Sequence, residues 1–363
     1  MALLNLPGLI DPHIHLREPG QTHKEDFDSG TAAALAGGFT SVLAMPNTNP
    51  PITDAAGLES ALALAQAKAR CDVGVYLGAT TSNAMAAARL AGQACGLKLY
   101  CDHTFGALHL DDLAAVQAHA AAWPVVRPLA AHAEGRSLAT VLLLCALYDR
   151  PVQICHVSRA DEIHLIRRAK ERGLRVTCEV TPHHLFLTEQ DVPRLGSGRG
   201  EVRPRLASRA DQDALWENMD VIDCFATDHA PHTTAEKDCP EPPPGFPGLE
   251  TALCIFLTAV AEGRLSLADV TERMHTRPAR IFGLPPQQET FVEIDPEARW
   301  DVHAAEMCSR CGWTPFEGMA LRGRVRRVVL RGRDAYADGR VLAPPGSGRV
   351  HRPEPIETIL EEA

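Results

Sequence analysis

Short runs of apolar and β-branched residues alternate along the chain with longer Ala/Leu-rich stretches of helical period. The first run, 8–12, ends in histidines. The run at 40–45 follows a helical stretch at 29–36 and a Gly-Gly break, and that at 72–78 follows the Ala-rich segment 55–70. Runs at 96–100, 128–131 and 151–155 come next, the last after a helical stretch at 137–148. Two more, 174–180 and 221–227, follow helical stretches at 160–172 and 209–219. Eight strands with mostly helical connections predict an α/β fold, a parallel (β/α)8 TIM barrel over 1–285, since a doubly wound sheet rarely needs so many units. Beyond residue 285 the texture changes. Segment 322–329 alternates apolar residues with arginine, and the chain after it is punctuated by Gly332, Asp338-Gly339 and Pro344-Pro345-Gly346. This predicts a small β-rich region over 286–348 packed on the barrel, and a loosely held polar tail over 349–363.

Composition narrows the class. Of 363 residues, 45% are hydrophobic and 23% charged, enough to bury a large core. The formal net charge of −10 repels a phosphate backbone, and 5% aromatics is poor material for stacking bases, so no nucleic-acid partner is expected. The longest uncharged apolar runs, 138–148 and 251–261, have 11 residues against about 20 for a membrane span. With no secretory leader either, a cytoplasmic protein without a membrane partner is expected. The start at Met1-Ala-Leu-Leu and the polar tail suggest a piece of a longer polypeptide. Eleven dispersed cysteines, mostly in apolar runs, read as reduced thiols. Cys308-Ser-Arg-Cys311 has half the spacing of a zinc knuckle but no matching pair nearby, and reads as a loop. The arginines at 322, 324, 326, 327, 331 and 333 read as the solvated face of a sheet rather than a polyanion site.

Chemistry-bearing residues fall at the carboxyl ends of the predicted strands, where barrel enzymes keep their sites. Strand 1 ends in Asp11-Pro-His13-Ile-His15, strand 4 carries Lys98, strand 5 ends at His132, and strand 6 ends at Cys155-His156. Glu179 and Asp228 close strands 7 and 8. Any one histidine would more often be core packing. The joint pattern is harder to obtain that way, because an HxH pair places two imidazoles on one face of a strand, an arrangement that suits Zn²⁺. Lys98 has no lone pair as an ammonium, so it ligates only if CO₂ converts it to an anionic carbamate.

The ordered set His13, His15, Lys98, His132, His156 and Asp228 resembles the binuclear amidohydrolase superfamily. Asp11-Pro-His-Ile-His-Leu-Arg-Glu-Pro-Gly20 and Ala226-Thr-Asp-His-Ala-Pro-His232 resemble the two dihydroorotase signatures, and Ala44-Met-Pro-Asn-Thr-Asn-Pro50 lies where that family keeps a substrate asparagine. Leu215-Trp-Glu-Asn-Met219, Pro242-Pro-Pro-Gly-Phe-Pro-Gly-Leu-Glu-Thr251 and Trp313-Thr-Pro-Phe-Glu-Gly318 resemble the dihydroorotase domain of animal multifunctional pyrimidine-synthesis proteins. Those proteins also carry carbamoyl-phosphate synthetase and aspartate transcarbamoylase.

The resemblance implies zinc-dependent, reversible cyclisation of N-carbamoyl-L-aspartate to L-dihydroorotate. It assigns one metal to His13, His15 and Asp228, a second to His132 and His156, and carbamylated Lys98 as the bridge. Asp228 would be the catalytic acid and base. Arg17, Asn47 and His232 would hold the substrate carboxylate, Arg203, Pro244 and Gly245 the ring, and Thr104 and Phe105 would tip a lid loop over 101–107. A third zinc on Cys155 and Glu179 is implied, with core packing of Cys155 and outer hydrogen bonding by Glu179 as the alternative. A homodimer is also implied. The rival readings are another cyclic-amide hydrolase (dihydropyrimidinase, hydantoinase or allantoinase), against which Arg17 and Asn47 argue, and an inactive scaffold.

Overall fold

The computed structural model describes residues 3–351. Strands β1 (Leu4–Pro7) and β2 (Leu9–Ile14) open the chain, followed by β3 (Phe39–Ala44), β4 (Asp72–Val75), β5 (Leu77–Gly78) and β6 (Leu97–Tyr100). Then come β7 (Leu129–His132), β8 (Val152–Ile154), β9 (Val176–Val180) and β10 (Cys224–Phe225). Strands β5 to β10 form one parallel sheet and β2, β3 and β4 another. The two arcs join at both seams. Tyr76, between β4 and β5, donates its amide to Ala44 while Leu77 donates to Gly96, so β4 and β5 together fill one barrel position. At the other seam Ile14 bridges His229 in parallel, and the His15 amide donates to the His229 carbonyl at 2.8 Å. The result is the predicted eight-position barrel.

Every residue of β2, β3, β4, β6 and β7 is buried, as a parallel sheet covered on its outer face and packed within requires. Below the site the barrel is plugged by Leu43, Met45, Tyr76, Ala130 and Phe282. The Tyr76 hydroxyl, which needs a partner in that apolar setting, donates to the Pro12 carbonyl at 3.0 Å.

A five-stranded antiparallel sheet lies outside the barrel, built from β1 and from β11 (Phe291–Asp301), β12 (Ala320–Leu330), β13 (Arg333–Ala337) and β14 (Arg340–Val341). Space and sequence part company at the N-terminus. Leu4–Pro7 falls within the span expected for the barrel, 1–285, yet it pairs with β11, Leu4 opposite Ile294. A four-residue strand carries no sign of its partner, and here it covers the edge of β11 that would otherwise stay open. The β12 arginines are matched by acids: Arg322 with Glu297, Arg326 with Asp295, and Arg327 with Asp334 and Glu293. Just past the strand, Arg331 pairs with Asp72. That face is polar and internally balanced.

Of the tail at 349–363, residues 352–363 lie outside the described residues. Its first three are tied to the barrel. Val73 donates to Arg349 O at 2.9 Å, His351 donates to Val73 O at 2.8 Å, and the His351 ring meets Ser41 Oγ at 2.7 Å.

Helix α1 (Phe27–Ala36) shows how the loops near the site are pinned. Asp26 caps it by accepting from the Ser29 amide at 2.8 Å, Ser29 Oγ accepts in return from the Asp26 amide, and Arg310 reaches Asp26 at 3.0 Å from the C-terminal region. Asp26→Ala should therefore lower unfolding free energy by about 1 kcal/mol. Urea denaturation checks this, with a shifted midpoint and an unchanged m-value as the expected pattern.

Candidate metal centre and substrate cleft

His13 is near the end of β2 and His15 just past it; His132 ends β7, His156 follows β8, and Asp228 follows β10. Two of these strand-end residues take backbone angles L-residues seldom adopt, His156 at φ 35° and Asp228 at φ 46°. Arg17 is a third, at φ 58°. Such angles persist only where the surroundings enforce them, and they cluster at functional sites. The seam beneath is fixed by Asp11, whose buried carboxylate accepts from Thr227 Oγ1 at 2.6 Å and from the His13 amide at 3.1 Å.

Two groups of buried ligand-type side chains share His13. Its Nε2 lies 3.2 Å from Asp228 Oδ1, and His15 Nε2 lies 3.0 Å from the same oxygen. Its Nδ1 lies 2.5 Å from Glu179 Oε1. His13, His15 and Asp228 bring one ligand atom each within 4.8 Å of one another, and so do His13, Cys155 and Glu179. Each ring nitrogen of His13 thus faces a different cluster. His132 and His156 pack edge to face at 4.5 Å between centroids. Lys98 is fully buried, and its Nζ donates to Cys155 Sγ at 2.8 Å.

The charge states suit metal binding. Burial keeps His13, His15 and His156 below the ordinary imidazole range, aided by Lys98 at His13, by Arg17 at His15 and by the neighbouring His132 at His156. Neutral rings keep a lone pair for a cation. Burial raises the Asp228 carboxyl, with His13 and Lys98 pulling the other way. Burial also pushes Glu179 up, but His13 and Lys98 outweigh it and leave the carboxyl below its usual range. The sharpest sign is a deficit. His132 Nε2 and His156 Nδ1 are buried with no hydrogen-bond partner, and Glu134 Oε1, 3.3 Å from His132 Nε2, is not aligned for one. Buried imidazole nitrogens left unpaired in two adjoining rings fit the role of metal ligands.

A narrow cleft opens onto this cluster. Its walls bring together His13, His15, Arg17, Asn47, Thr104, Phe105, His132, His156, Arg203, Asp228, Pro244 and Gly245. Lys98, Cys155 and Glu179 sit below it, and His232 stands behind Arg17. Arg17 reaches the cleft by a route that strand alternation does not supply, since β2 ends at Ile14 and the left-handed turn aims it. Its Nε donates to Pro231 O at 3.0 Å, while Nη1 has no partner. Burial lowers the guanidinium to about 10, still charged at neutral pH. Asn47 is already engaged: Oδ1 lies 2.7 Å from His15 Nδ1 and Nδ2 donates to Phe105 O at 2.9 Å, so it both orients a ring and holds the lid loop. The Phe105 ring centroid lies 4.7 Å from that of His232 and 5.0 Å from the Arg17 guanidinium carbon. Gly245, at φ 144°, has no room for a side chain, because a Cβ would meet Ala230 O at 2.6 Å.

Sequence reasoning passed over three residues of this neighbourhood. Tyr100 lines the cleft with an unpartnered buried hydroxyl. It stands two residues after Lys98 on one strand, so alternation could have found it. Lys24, in a turn, and Glu236, in the short helix Thr234–Lys237, meet beside His232, Nζ to Oε1 at 3.0 Å, and no local signal announces them.

Residues 4–291 match the amidohydrolase family. The chain is 54% identical over 358 residues to the multifunctional protein CAD of Squalus acanthias, covering 99% of this chain and 16% of that protein, so it spans about a sixth of that relative. It is 32% identical to the dihydroorotase of Pyrococcus furiosus, covering 95% of this chain and 84% of that enzyme. Among solved structures it resembles the inactive dihydroorotase-like domain of a Chaetomium thermophilum CAD-like multifunctional protein, with 31% identity, TM-score 0.83, and 96% and 99% of the two chains covered. The chain belongs to the amidohydrolase family, and within it to the dihydroorotases.

Proposed function

We propose that this chain catalyses the reversible interconversion of N-carbamoyl-L-aspartate and L-dihydroorotate, the dihydroorotase step of pyrimidine synthesis. The observation that carries the reading is Arg17 Nη1, a buried and unpartnered charged donor in the wall of the same cleft as the histidine–aspartate cluster. A plain cyclic amide can offer that donor only a neutral carbonyl oxygen, whereas dihydroorotate carries an anionic, two-oxygen carboxylate beside its ring.

His13, His15 and Asp228 would hold one zinc ion and His132 and His156 a second, with Lys98 carbamylated by CO₂ between them. Cys155, Glu179 and the second nitrogen of His13 would hold a third. When bound, zinc would polarise the scissile carbonyl and lower the pKa of a water to about 7. The protein's own groups would do the rest. In the hydrolytic direction Asp228 takes the proton of the attacking water and returns it to the departing ring nitrogen; in synthesis it takes a proton from the ureido nitrogen. Arg17 holds the carboxylate, Asn47 keeps His15 and the lid in place, and Arg203, Pro244 and Gly245 flank the ring. The reading carries with it a homodimer, a cytoplasmic setting, and attachment to carbamoyl-phosphate synthetase and aspartate transcarbamoylase in a longer polypeptide.

Purified, metal-replete protein should open dihydroorotate with kcat/KM at least about a hundredfold above that for dihydrouracil, which lacks the carboxylate. Good turnover of dihydrouracil or allantoin with poor turnover of dihydroorotate would assign another cyclic-amide hydrolase. No turnover of any would leave a scaffold. The lid makes its own prediction: Phe105→Ala should lower kcat about tenfold or more by admitting water, with an unchanged thermal midpoint. Wild-type kinetics in that variant would remove Phe105 from the mechanism.

A further inference from the structure

His232 is buried among donors. Its Nδ1 lies 3.1 Å from Lys24 Nζ, and its Nε2 lies 3.0 Å from Arg17 Nη2 and 3.1 Å from the carbonyl of Pro244. Lys24 is itself only 3% exposed; burial draws its pKa below the ordinary lysine value, and Glu236 Oε1 at 3.0 Å opposes that by favouring the ammonium. Glu236 is fixed in turn by the Thr233 amide and hydroxyl, and Trp313 Nε1 holds the His232 backbone by donating to its carbonyl at 2.8 Å. An ammonium has three protons and no lone pair, so the nitrogen it meets must be the acceptor. At Nε2 two neighbours compete, since Arg17 Nη2 can only donate and Pro244 O can only accept, so the donor at Nδ1 decides: with Lys24 there, Nδ1 is the unprotonated nitrogen and Nε2 carries the hydrogen, which Pro244 O accepts. A protonated Nε2 offers nothing to Arg17 Nη2. Together with the unpartnered Nη1, this leaves both terminal nitrogens of the guanidinium without an acceptor on this histidine.

We propose that Lys24 is a positioning residue that fixes the Nε2–H tautomer of His232, and thereby keeps the Arg17 fork open for a bidentate carboxylate. Without Lys24, His232 can move its proton to Nδ1, and Nε2 then accepts from Arg17 Nη2. That internal bond competes with the incoming anion. Once bound, the anion displaces that internal bond and meets the same Arg17 fork, so loss of Lys24 raises KM and spares kcat, unlike removal of Arg17 itself. The proposal rests on the dihydroorotase reading for the identity of the anion, but its chemistry concerns any carboxylate on the ring.

The test uses the metal-replete enzyme and the variants Lys24→Met and Lys24→Arg. Lys24→Met should raise KM for dihydroorotate about tenfold or more with kcat within about threefold, the scale of one charged hydrogen bond. Lys24→Arg, also a donor without a lone pair, should recover most of the loss. Two-bond ¹⁵N–¹H correlation of histidine rings, with His232 assigned by its absence in His232→Gln, should show the Nε2–H tautomer in the unsubstituted protein. An unchanged KM in Lys24→Met, an arginine variant no better than methionine, or an Nδ1–H tautomer would each overturn the proposal. The tautomer measurement decides the matter even if Lys24→Met fails to fold. It also separates this inference from the functional one, which fails only if the unsubstituted enzyme does not turn over dihydroorotate.

Discussion

Replacing Lys98 with alanine is expected to abolish activity, by on the order of a thousandfold or more, and to strip the protein of most of its zinc. Lys98 is fully buried in β6, and among the described residues no carboxylate lies within 4.0 Å of its Nζ to compensate an ammonium there. A buried cation beside sites for two divalent ions would repel them; a carbamate reverses the sign and adds two oxygen ligands. On the proposed assignment, loss of the side chain would remove that bridge and leave His132 and His156 as the only ligands of their metal. Metal analysis and turnover measure the two effects, and intact mass of the native protein should show the addition of one CO₂ that Lys98→Ala lacks. A fully active alanine variant would be incompatible with the carbamate. Lys98→Met, which refills the apolar volume, separates loss of charge from loss of packing.

Much of this architecture was legible because a parallel barrel imposes period on its strands and direction on its site. The eight apolar runs mark the strands to within a few residues, and the HxH spacing delivers His13 and His15 to one oxygen of Asp228 although β2 ends between them. The features that stayed hidden depend on turns and on distant pairing. Arg17 is aimed into the cleft by a left-handed backbone turn past the end of β2, which the strand pattern does not announce. Asn47 was read as a substrate contact, and its amide turns out to be shared between a histidine ring and the lid backbone. Nothing near Lys24 in sequence reveals that Glu236 and His232 will meet it. Leu4–Pro7 likewise finds its partner nearly three hundred residues away in β11.

Arg17→Ala should separate binding from metal chemistry. A guanidinium only donates, so zinc content should stay at the level of the unsubstituted protein. Turnover should not: truncating one partner of a buried charged pair costs about 2–5 kcal/mol, which predicts a fall in kcat/KM for dihydroorotate of about thirtyfold to several thousandfold. Because the α-carboxylate takes no part in the reaction, its grip serves to orient the ring, and misorientation should lower kcat as well as raise KM. Arg17→Lys should recover only part of the loss, since an ammonium cannot present a planar fork and cannot reproduce both the bond to Pro231 O and the open Nη1. The decisive comparison is with dihydrouracil, which has no carboxylate to lose. If its slow opening is unchanged by Arg17→Ala while that of dihydroorotate collapses, the arginine is the substrate discriminator. An equal fall for both substrates, or loss of zinc, would make Arg17 a support of the barrel mouth and remove the observation on which the dihydroorotase assignment stands.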